Sequence, residues 1–148
     1  MSDPEWSLDP RLAQDTIALG DLPLTRVLVS RDANYPWLIL VPRRDGAVEI
    51  IDLSETDQAI LMTEMSHTAR VLKAVTRCDK LNIAALGNAV RQLHVHVIAR
   101  SPGDAAGTRP VWNAVPARRY DEAELARFLA ALRAGIGVSR GVLRHIAP

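Results

Sequence analysis

The hydrophobic positions of the chain fall into short runs typical of strands and longer stretches with helical spacing. The segment "IALGDLPLTRVLVSRD" predicts two short strands around a Gly-Asp turn, and "WLILVPRR" predicts a strand stopped by its proline. The second run lacks strict alternation, which favours a central strand. "LNIAAL" predicts a further strand, "GNAVR" a loop, and "QLHVHVIAR" the strand that follows.

Helical spacing is clearest between Ser54 and about Arg77. Ser54 is a suitable N-cap, and the acidic residues after it suit the positive end of the helix dipole. The apolar positions predicted to form a core-facing stripe are Leu61, Met65, Leu72 and Val75. This stretch therefore predicts one long helix.

Two further helices are indicated nearer the ends of the chain. "SLDPRLAQDT" predicts a short helix with Asp9 as cap and Pro10 at the first helical position. "YDEAELARFLAALRAG" predicts a second helix, with Asp121 as its cap or as an acid in its first turn and Gly135 as its stop. The order of the elements, with strands clustered, predicts an α+β fold with a largely antiparallel sheet.

The length of 148 residues fits a single domain spanning residues 1–148. We expect residues 1–20 to form an N-terminal extension that includes the short helix, and residues 136–148 to form a C-terminal tail.

Charge and composition narrow the possible partners. The net charge is +1 and the basic residues are scattered, so no nucleic-acid partner is indicated. The longest apolar runs are far shorter than a membrane span, and "MSDPEWSLDP" has no apolar signal-peptide core. The single cysteine, Cys78, permits no intrachain disulfide. Together these observations predict a cytoplasmic protein with no membrane or nucleic-acid partner.

The segment "QLHVHVIAR" separates into two faces, because residues two apart share a face of a strand. The apolar face, expected on the core beneath the long helix, carries Leu93, Val95, Val97 and Ala99. The other face carries Gln92, His94, His96 and Ile98. Two histidines therefore lie side by side on one face of the sheet.

Three interpretations of the histidine pair are open. The pair could be surface histidines on a solvated sheet face. It could ligate a metal, but a zinc site needs three or four ligands, and the other histidines, His67 and His145, lack metal-site spacing. It could perform nucleophilic catalysis at phosphorus, in which one imidazole attacks and the second assists.

The segment "QLHVHVIAR" resembles the motif of the histidine triad (HIT) family of nucleotide hydrolases and transferases. "LVSRDANYPWLILVPRRDGAVEIIDLSETDQAIL" is similar to the family's earlier strand pair and helix start, and "LNIAALGNAVRQLHVHVIAR" to its phosphate loop and motif strand. The resemblance implies a five-stranded, mainly antiparallel sheet packed with a long helix and a C-terminal helix. It also implies a homodimer, a nucleotide substrate that by family analogy is a purine derivative, and no cofactor or metal.

The resemblance assigns roles to the motif residues. His94 matches the family's middle histidine, the nucleophile that attacks the α-phosphate. His96 matches the third histidine, which contacts the phosphate and assists the leaving group. Gln92 falls at the first position, so the triad is a variant. The main-chain carbonyl of that position commonly orients the nucleophile, and a carbonyl survives any substitution.

Nucleotide-binding positions follow from the same resemblance. Asn88 lies in the region of the phosphate loop, which is shorter here than in typical members. Asp32 or Ser30 lies where members bind the ribose hydroxyls, although a turn-capping aspartate is an equal alternative. Arg100 lies near the site in sequence and is a candidate phosphate contact.

Two tryptophans complete the set of candidates. Trp37 stands where many members have a histidine beside the first triad position, so we hypothesise that Trp37 and Gln92 adjoin. Trp112 could wall the base pocket, cross a dimer or anchor its loop.

The implied function is a metal-independent nucleotidyl hydrolase or transferase. It cleaves a phosphoanhydride or phosphoramidate through an intermediate on His94. The alternative is a nucleotide-binding or regulatory protein of the same fold with little turnover, which the altered first position favours.

Overall fold

The computed structural model describes residues 3–139. The helices are α1 (Pro10–Asp15), α2 (Glu55–Thr76) and α3 (Glu122–Ile136), and a short 3₁₀ turn spans Ile50–Asp52. The strands are β1 (Thr16–Asp21), β2 (Thr25–Ser30), β3 (Trp37–Pro42), β4 (Lys80–Ala85) and β5 (Val95–Arg100). Most of the predicted C-terminal tail, including His145, lies outside the described residues.

The five strands form one sheet in the order β1-β2-β3-β5-β4, and neighbouring strands pair antiparallel. The predicted α+β fold with an antiparallel five-stranded sheet is therefore confirmed. β3 is the middle strand, as its unbroken apolar run predicted. β5 lies between β3 and β4, so both of its edges are hydrogen-bonded and its histidine sits in the interior of the sheet.

The main core lies between the sheet and helices α2 and α3. Its buried members include Leu19, Val27, Val29, Leu38, Leu40, Leu72, Val97, Ala99 and Leu132. These side chains alternate along their strands, so each strand presents one face to the helices. The opposite face remains available for other chemistry.

Helix α2 begins and ends where the sequence predicts. The Ser54 hydroxyl accepts a hydrogen bond from the Asp57 N–H, and Arg77 closes the helix in a left-handed conformation. Leu61 and Leu72 are buried as expected. Val75 is 38% exposed, so its predicted place in the core stripe was wrong. It lies in the last turn of α2 (Glu55–Thr76), beyond the buried stretch.

The ends of two other elements differ from the prediction. The link between β1 and β2 lies at residues 22–24, and the predicted Gly-Asp turn instead forms the end of β1, with a register shift beside Gly20. Helix α3 continues through Gly135 and stops at Gly137, whose φ is 74°. A Cβ at Gly135 would lie 2.6 Å from Val71 Cγ1, so this glycine permits the close approach of α3 to α2.

The N-terminal segment packs on the sheet face opposite the main core. Leu12 of α1 is buried against Leu28, Ile39 and Val41, and Trp6 and Leu8 extend this cluster. The predicted Asp9 cap is confirmed, since its carboxylate accepts from the Arg11 N–H. Within residues 3–139, no helix is long and apolar enough to cross a membrane.

Candidate active site

The histidine strand has the two faces that its sequence predicts. Val97 and Ala99 contribute to the main core, whereas Ile98 packs on the other side of the sheet. His94 and His96 share that second side but are only 5% and 6% exposed. The interpretation of a solvated histidine pair is therefore wrong, because neighbouring structure covers both imidazoles.

Strand β5 begins at Val95, three residues later than predicted. The ladder with β3 ends at the pair Leu40–Val95, near the proline that closes β3. The Leu93 N–H turns away and donates to the Ala47 carbonyl at 3.0 Å. Gln92 and His94 consequently lie in the segment that enters β5.

His94 is oriented by the main chain. Its Nδ1 lies 2.6 Å from the Gln92 carbonyl oxygen. Because a carbonyl only accepts, Nδ1 carries the proton and donates. The neutral imidazole therefore keeps its lone pair on Nε2, the atom that can act as a nucleophile.

His96 is oriented by a side chain and in the opposite sense. The Trp37 indole Nε1–H donates to His96 Nδ1 at 2.9 Å. Because an indole N–H can only donate, Nδ1 must hold the lone pair, and the proton resides on Nε2. Burial, followed by the neighbouring His94, lowers the pKa of His96 to about 4. His96 is thus a neutral hydrogen-bond donor at physiological pH.

Aromatic rings enclose the histidine pair. The ring centroids of His94 and His96 are 5.0 Å apart. Trp37 and Trp112 lie 5.5 Å and 5.0 Å from His96, and the two indoles are 5.9 Å apart in an edge-on arrangement. Trp112 is therefore a wall of this site. The sequence offered no signal for that contact beyond the presence of a tryptophan after a loop.

Gln92 has partners that the sequence did not indicate. Its Oε1 accepts from the Asp9 N–H at 2.9 Å, and its Nε2 donates to the Ser7 carbonyl at 2.8 Å. The hypothesis that Gln92 adjoins Trp37 was wrong, because Trp37 pairs in register with Ile98, well along β5, and donates to His96. The glutamine instead ties the N-terminal segment to the segment that orients His94.

Arg100 is fully engaged within the protein. Its Nε and Nη2 contact both carboxylate oxygens of Asp104 at 2.8 and 3.0 Å, and Nη2 also donates to the Gly107 carbonyl. Its Nη1 donates to Asn82 Oδ1 and the Arg109 carbonyl. All five N–H groups are thus used. Arg100 holds the loop after β5 and is not free to bind a nucleotide phosphate, contrary to our prediction.

The remaining candidates lie in loops. Asp32 Oδ1 accepts from the Asn34 and Arg118 N–H groups at 2.9 and 3.1 Å, which is the behaviour of a turn-capping aspartate. Ser30 Oγ accepts from the Asp32 N–H. Asn88 is exposed in the segment between β4 and β5. Their roles toward a nucleotide stay predictions.

Across positions 3–139, no three or more His, Cys, Asp or Glu side chains are grouped so that they could hold a metal ion.

The antiparallel sheet and the paired imidazoles in opposite tautomers define an α+β protein of the histidine triad class. A family model described as the HIT domain matches residues 11–103. The chain belongs to the HIT domain family, which comprises nucleotide-binding proteins, hydrolases and transferases.

Solved structures agree with this assignment. A histidine triad protein from Bradyrhizobium japonicum is 62% identical, with a TM-score of 0.89 over 90% of this chain and 99% of that chain. Histidine triad proteins from Sinorhizobium meliloti and Marinobacter aquaeolei are 44% and 41% identical, with TM-scores of 0.86. These matches cover 88% and 89% of this chain, and 97% and 96% of those chains. No curated protein matches the chain.

Proposed function

We propose that the protein is a nucleotidyl hydrolase or transferase that cleaves its substrate at the α-phosphate through an intermediate on His94. The observation that carries this proposal is the opposite hydrogen bonding of the two imidazoles. His94 Nδ1 donates to the Gln92 carbonyl, whereas His96 Nδ1 accepts from Trp37. One ring therefore offers an Nε2 lone pair and the other an Nε2–H.

The first step forms a covalent bond to His94. With a phosphoanhydride substrate, the Nε2 lone pair attacks the α-phosphorus, the N–P bond forms, and the P–O bond to the leaving group breaks with its electron pair on oxygen. The phosphorylated imidazole carries a positive charge while its Nδ1–H is retained. The Gln92 carbonyl stabilises that charge through the same hydrogen bond.

The second step releases the nucleotide. A water molecule attacks the phosphorus, the N–P bond breaks, and its electron pair returns to His94 Nε2. The water supplies one oxygen to the nucleoside monophosphate and loses one proton to solvent. A phosphate or sugar-phosphate acceptor in place of water gives a transferase.

His96 stabilises the negative charge that develops on oxygen in the first step. Its Nε2–H donates a hydrogen bond to the phosphate or to the departing oxygen, and a donor in a water-excluded site is most effective there. The burial of His96, which is 6% exposed, provides that environment. The groups of this chain that act in the two proposed steps are the two imidazoles and the Gln92 carbonyl.

The nucleotide is held by the neighbouring loops in this proposal. Asp32 and Ser30 are proposed for the ribose hydroxyls, because their oxygen atoms lie in the turn that leads from β2 to β3 and Trp37. Asn88 is proposed for the phosphate, since the segment between β4 and β5 leads directly into the histidines. The indoles of Trp37 and Trp112 supply an aromatic surface beside His96 on which a purine can stack.

A homodimer and a cytoplasmic location belong to the same proposal. β4 is an edge strand of the sheet, and Ile83 on it and Leu86 after it are 47% and 49% exposed. An exposed apolar edge is suited to pairing with a second copy. Sedimentation analysis tests the dimer, and cell fractionation tests the location.

The alternative function is nucleotide binding without turnover. The burial of His94, which is 5% exposed, favours it, because a nucleophile that no substrate reaches cannot react. This alternative predicts tight nucleotide binding that does not lead to products.

A turnover assay with dinucleoside polyphosphates and adenosine phosphoramidates separates the two functions. We expect product formation by the unaltered protein and its loss in His94→Ala, with nucleotide binding retained. Binding without turnover in the unaltered protein supports the alternative. Turnover that survives in His94→Ala contradicts the proposed intermediate.

A further inference from the structure

The hydrogen bond between Trp37 and His96 has a chemical consequence for the site. The indole N–H has no lone pair to offer, so Nδ1 of His96 cannot carry a proton while this 2.9 Å contact exists. Protonation of His96 at its second nitrogen would place two N–H groups against each other. The contact therefore holds the imidazole neutral and keeps its proton on Nε2.

The surroundings of His96 reinforce this state. His94 and Trp112 both lie with ring centroids 5.0 Å away, and the side chain is 6% exposed. Within residues 3–139, the His96 ring contacts the rings of Trp37, His94 and Trp112, and none of these partners is a carboxylate. Burial and the neighbouring His94 both disfavour an imidazolium in this enclosure.

We propose that Trp37 is a positioning residue that fixes His96 as a neutral Nε2–H donor and thereby selects substrates whose leaving group departs as an anion. The selection rests on the proposed function, whereas the positioning of His96 does not. Trp37 acts through the imidazole, so its role differs from that of a catalytic residue.

The leaving-group argument follows from proton balance. Cleavage of a phosphoanhydride P–O bond releases a phosphate oxyanion, which needs only a hydrogen bond from Nε2–H. Cleavage of a phosphoramidate P–N bond releases an amine, whose nitrogen must gain a proton before it departs. A neutral imidazole is a very weak acid and does not supply that proton. The site should therefore favour phosphoanhydrides, such as dinucleoside polyphosphates, over phosphoramidates.

Nuclear magnetic resonance tests the positioning without any turnover. In protein with ¹⁵N-labelled histidine at pH 7.5, we expect His96 to show an unprotonated Nδ1 and a protonated Nε2. Trp37→Phe removes the N–H donor and should give a mixture of both tautomers and a higher pKa. Trp112→Phe is the matched control, because it trims the other indole beside His96, and should leave the tautomer unchanged.

Three results overturn the positioning role. The first is a protonated Nδ1 in the unaltered protein. The second is a His96 that titrates near the ordinary histidine pKa. The third is a Trp37→Phe protein whose His96 signals match the unaltered ones. The first two require no variant, so the test holds even if Trp37→Phe fails to fold.

Competition between two substrates tests the selection. We expect kcat/KM for diadenosine tetraphosphate to exceed that for adenosine phosphoramidate by about 10²-fold or more. At pH 6, Trp37→Phe should move this ratio toward the phosphoramidate by roughly tenfold, because His96 can then become an acid. Preferred turnover of the phosphoramidate by the unaltered protein overturns the selection.

The NMR measurement and the substrate competition together separate this inference from the proposed function. If neither compound is cleaved while His96 keeps the Nε2–H tautomer, the proposed function and the selection fail, and the positioning role of Trp37 stands. If both are cleaved through His94 while His96 carries its proton on Nδ1, the proposed function stands and the inference fails.

Discussion

The surroundings of His94 and His96 differ in kind. His94 is oriented by a main-chain carbonyl, that of Gln92, at 2.6 Å. His96 is oriented by a side chain, that of Trp37, and is enclosed by a second indole, that of Trp112. The orientation of His94 depends on the path of the main chain into β5. The orientation of His96 depends on the identity of residues that are distant from it in sequence.

This difference explains how the family motif can tolerate a glutamine. The carbonyl that orients His94 is present whatever side chain position 92 carries, and the glutamine side chain is free to bind Ser7 and Asp9. No such tolerance applies to His96. Replacement of Trp37 by a residue without a donor removes the group that sets its tautomer.

The largest effect is expected from removal of the proposed nucleophile, His94. His94→Asn should lower kcat/KM by at least about 10⁴-fold, as loss of a covalent nucleophile does in other enzymes. Gln92→Ala, which keeps the carbonyl, should lower it by less than tenfold. Comparable losses in the two variants would show that the side chain at position 92, and not its carbonyl, prepares His94.

The next largest effect concerns the loop that carries Trp112. Arg100→Met should lower the free energy of unfolding by about 3–5 kcal/mol, because the Asp104 carboxylate is left without its buried ion-pair partner. Arg109→Met, a change in the same loop, should cost no more than about 1 kcal/mol. Denaturant unfolding measures both.

The same variant sharpens the comparison of the two histidines. Loosening the loop in Arg100→Met should shift the NMR signals of His96, beside Trp112, more than those of His94. Equal shifts in both imidazoles would contradict the separation of their environments.

The third prediction concerns acid stability. His96 has its pKa lowered to about 4 by burial and His94, so the unfolded chain binds a proton at this residue at higher pH than the folded protein does. The stability that the protein gains from keeping His96 neutral is fully present above pH 6.5 and is lost as the pH falls to about 4. The loss should approach about 3 kcal/mol.

The variant His96→Gln isolates this contribution from the carboxylates that titrate in the same range. The difference in unfolding free energy between the unaltered protein and His96→Gln should shrink as the pH is lowered from 6.5 to 4. A difference that does not change with pH would mean that His96 titrates alike in both states.

The smallest effect is expected at the side chain of Gln92. Gln92→Ala loses two hydrogen bonds to the N-terminal segment and should destabilise the protein by about 1–2 kcal/mol. Gln92→Glu keeps the acceptor for the Asp9 N–H but sets a carboxylate oxygen against the Ser7 carbonyl oxygen, so its loss should be at least as large as that of Gln92→Ala. Thermal unfolding compares the two variants with the unaltered protein. An unchanged midpoint for Gln92→Ala would show that the hydrogen bonds of Gln92 to the N-terminal segment do not stabilise the fold.

The local sequence pattern was sufficient to predict most of the helices and strands and the face of the sheet that carries the histidines. Strand alternation identified the face that carries His94 and His96, and the capping residues Asp9 and Ser54 placed the starts of α1 and α2. Each of these signals is contained within a few residues of sequence, where backbone geometry dictates the outcome.

The partners of the site residues could not be predicted in this way. Trp37 and His96 are 59 positions apart, and Gln92 is 83 and 85 positions from Asp9 and Ser7. Such contacts are set by strand register and by the path of the N-terminal segment. Arg100 was misjudged for the same reason, since proximity in sequence to the histidines did not show that its loop folds back around it.

The stereochemical course at phosphorus tests the central claim, that His94 carries the nucleotidyl group, most directly. A nucleotide substrate with a chiral α-phosphorothioate is hydrolysed in ¹⁸O-labelled water, and the configuration of the product is determined. Attack by His94 followed by attack of water inverts the phosphorus twice, so the account predicts net retention. Net inversion would mean that water displaces the leaving group in a single step, and it would contradict an intermediate on His94.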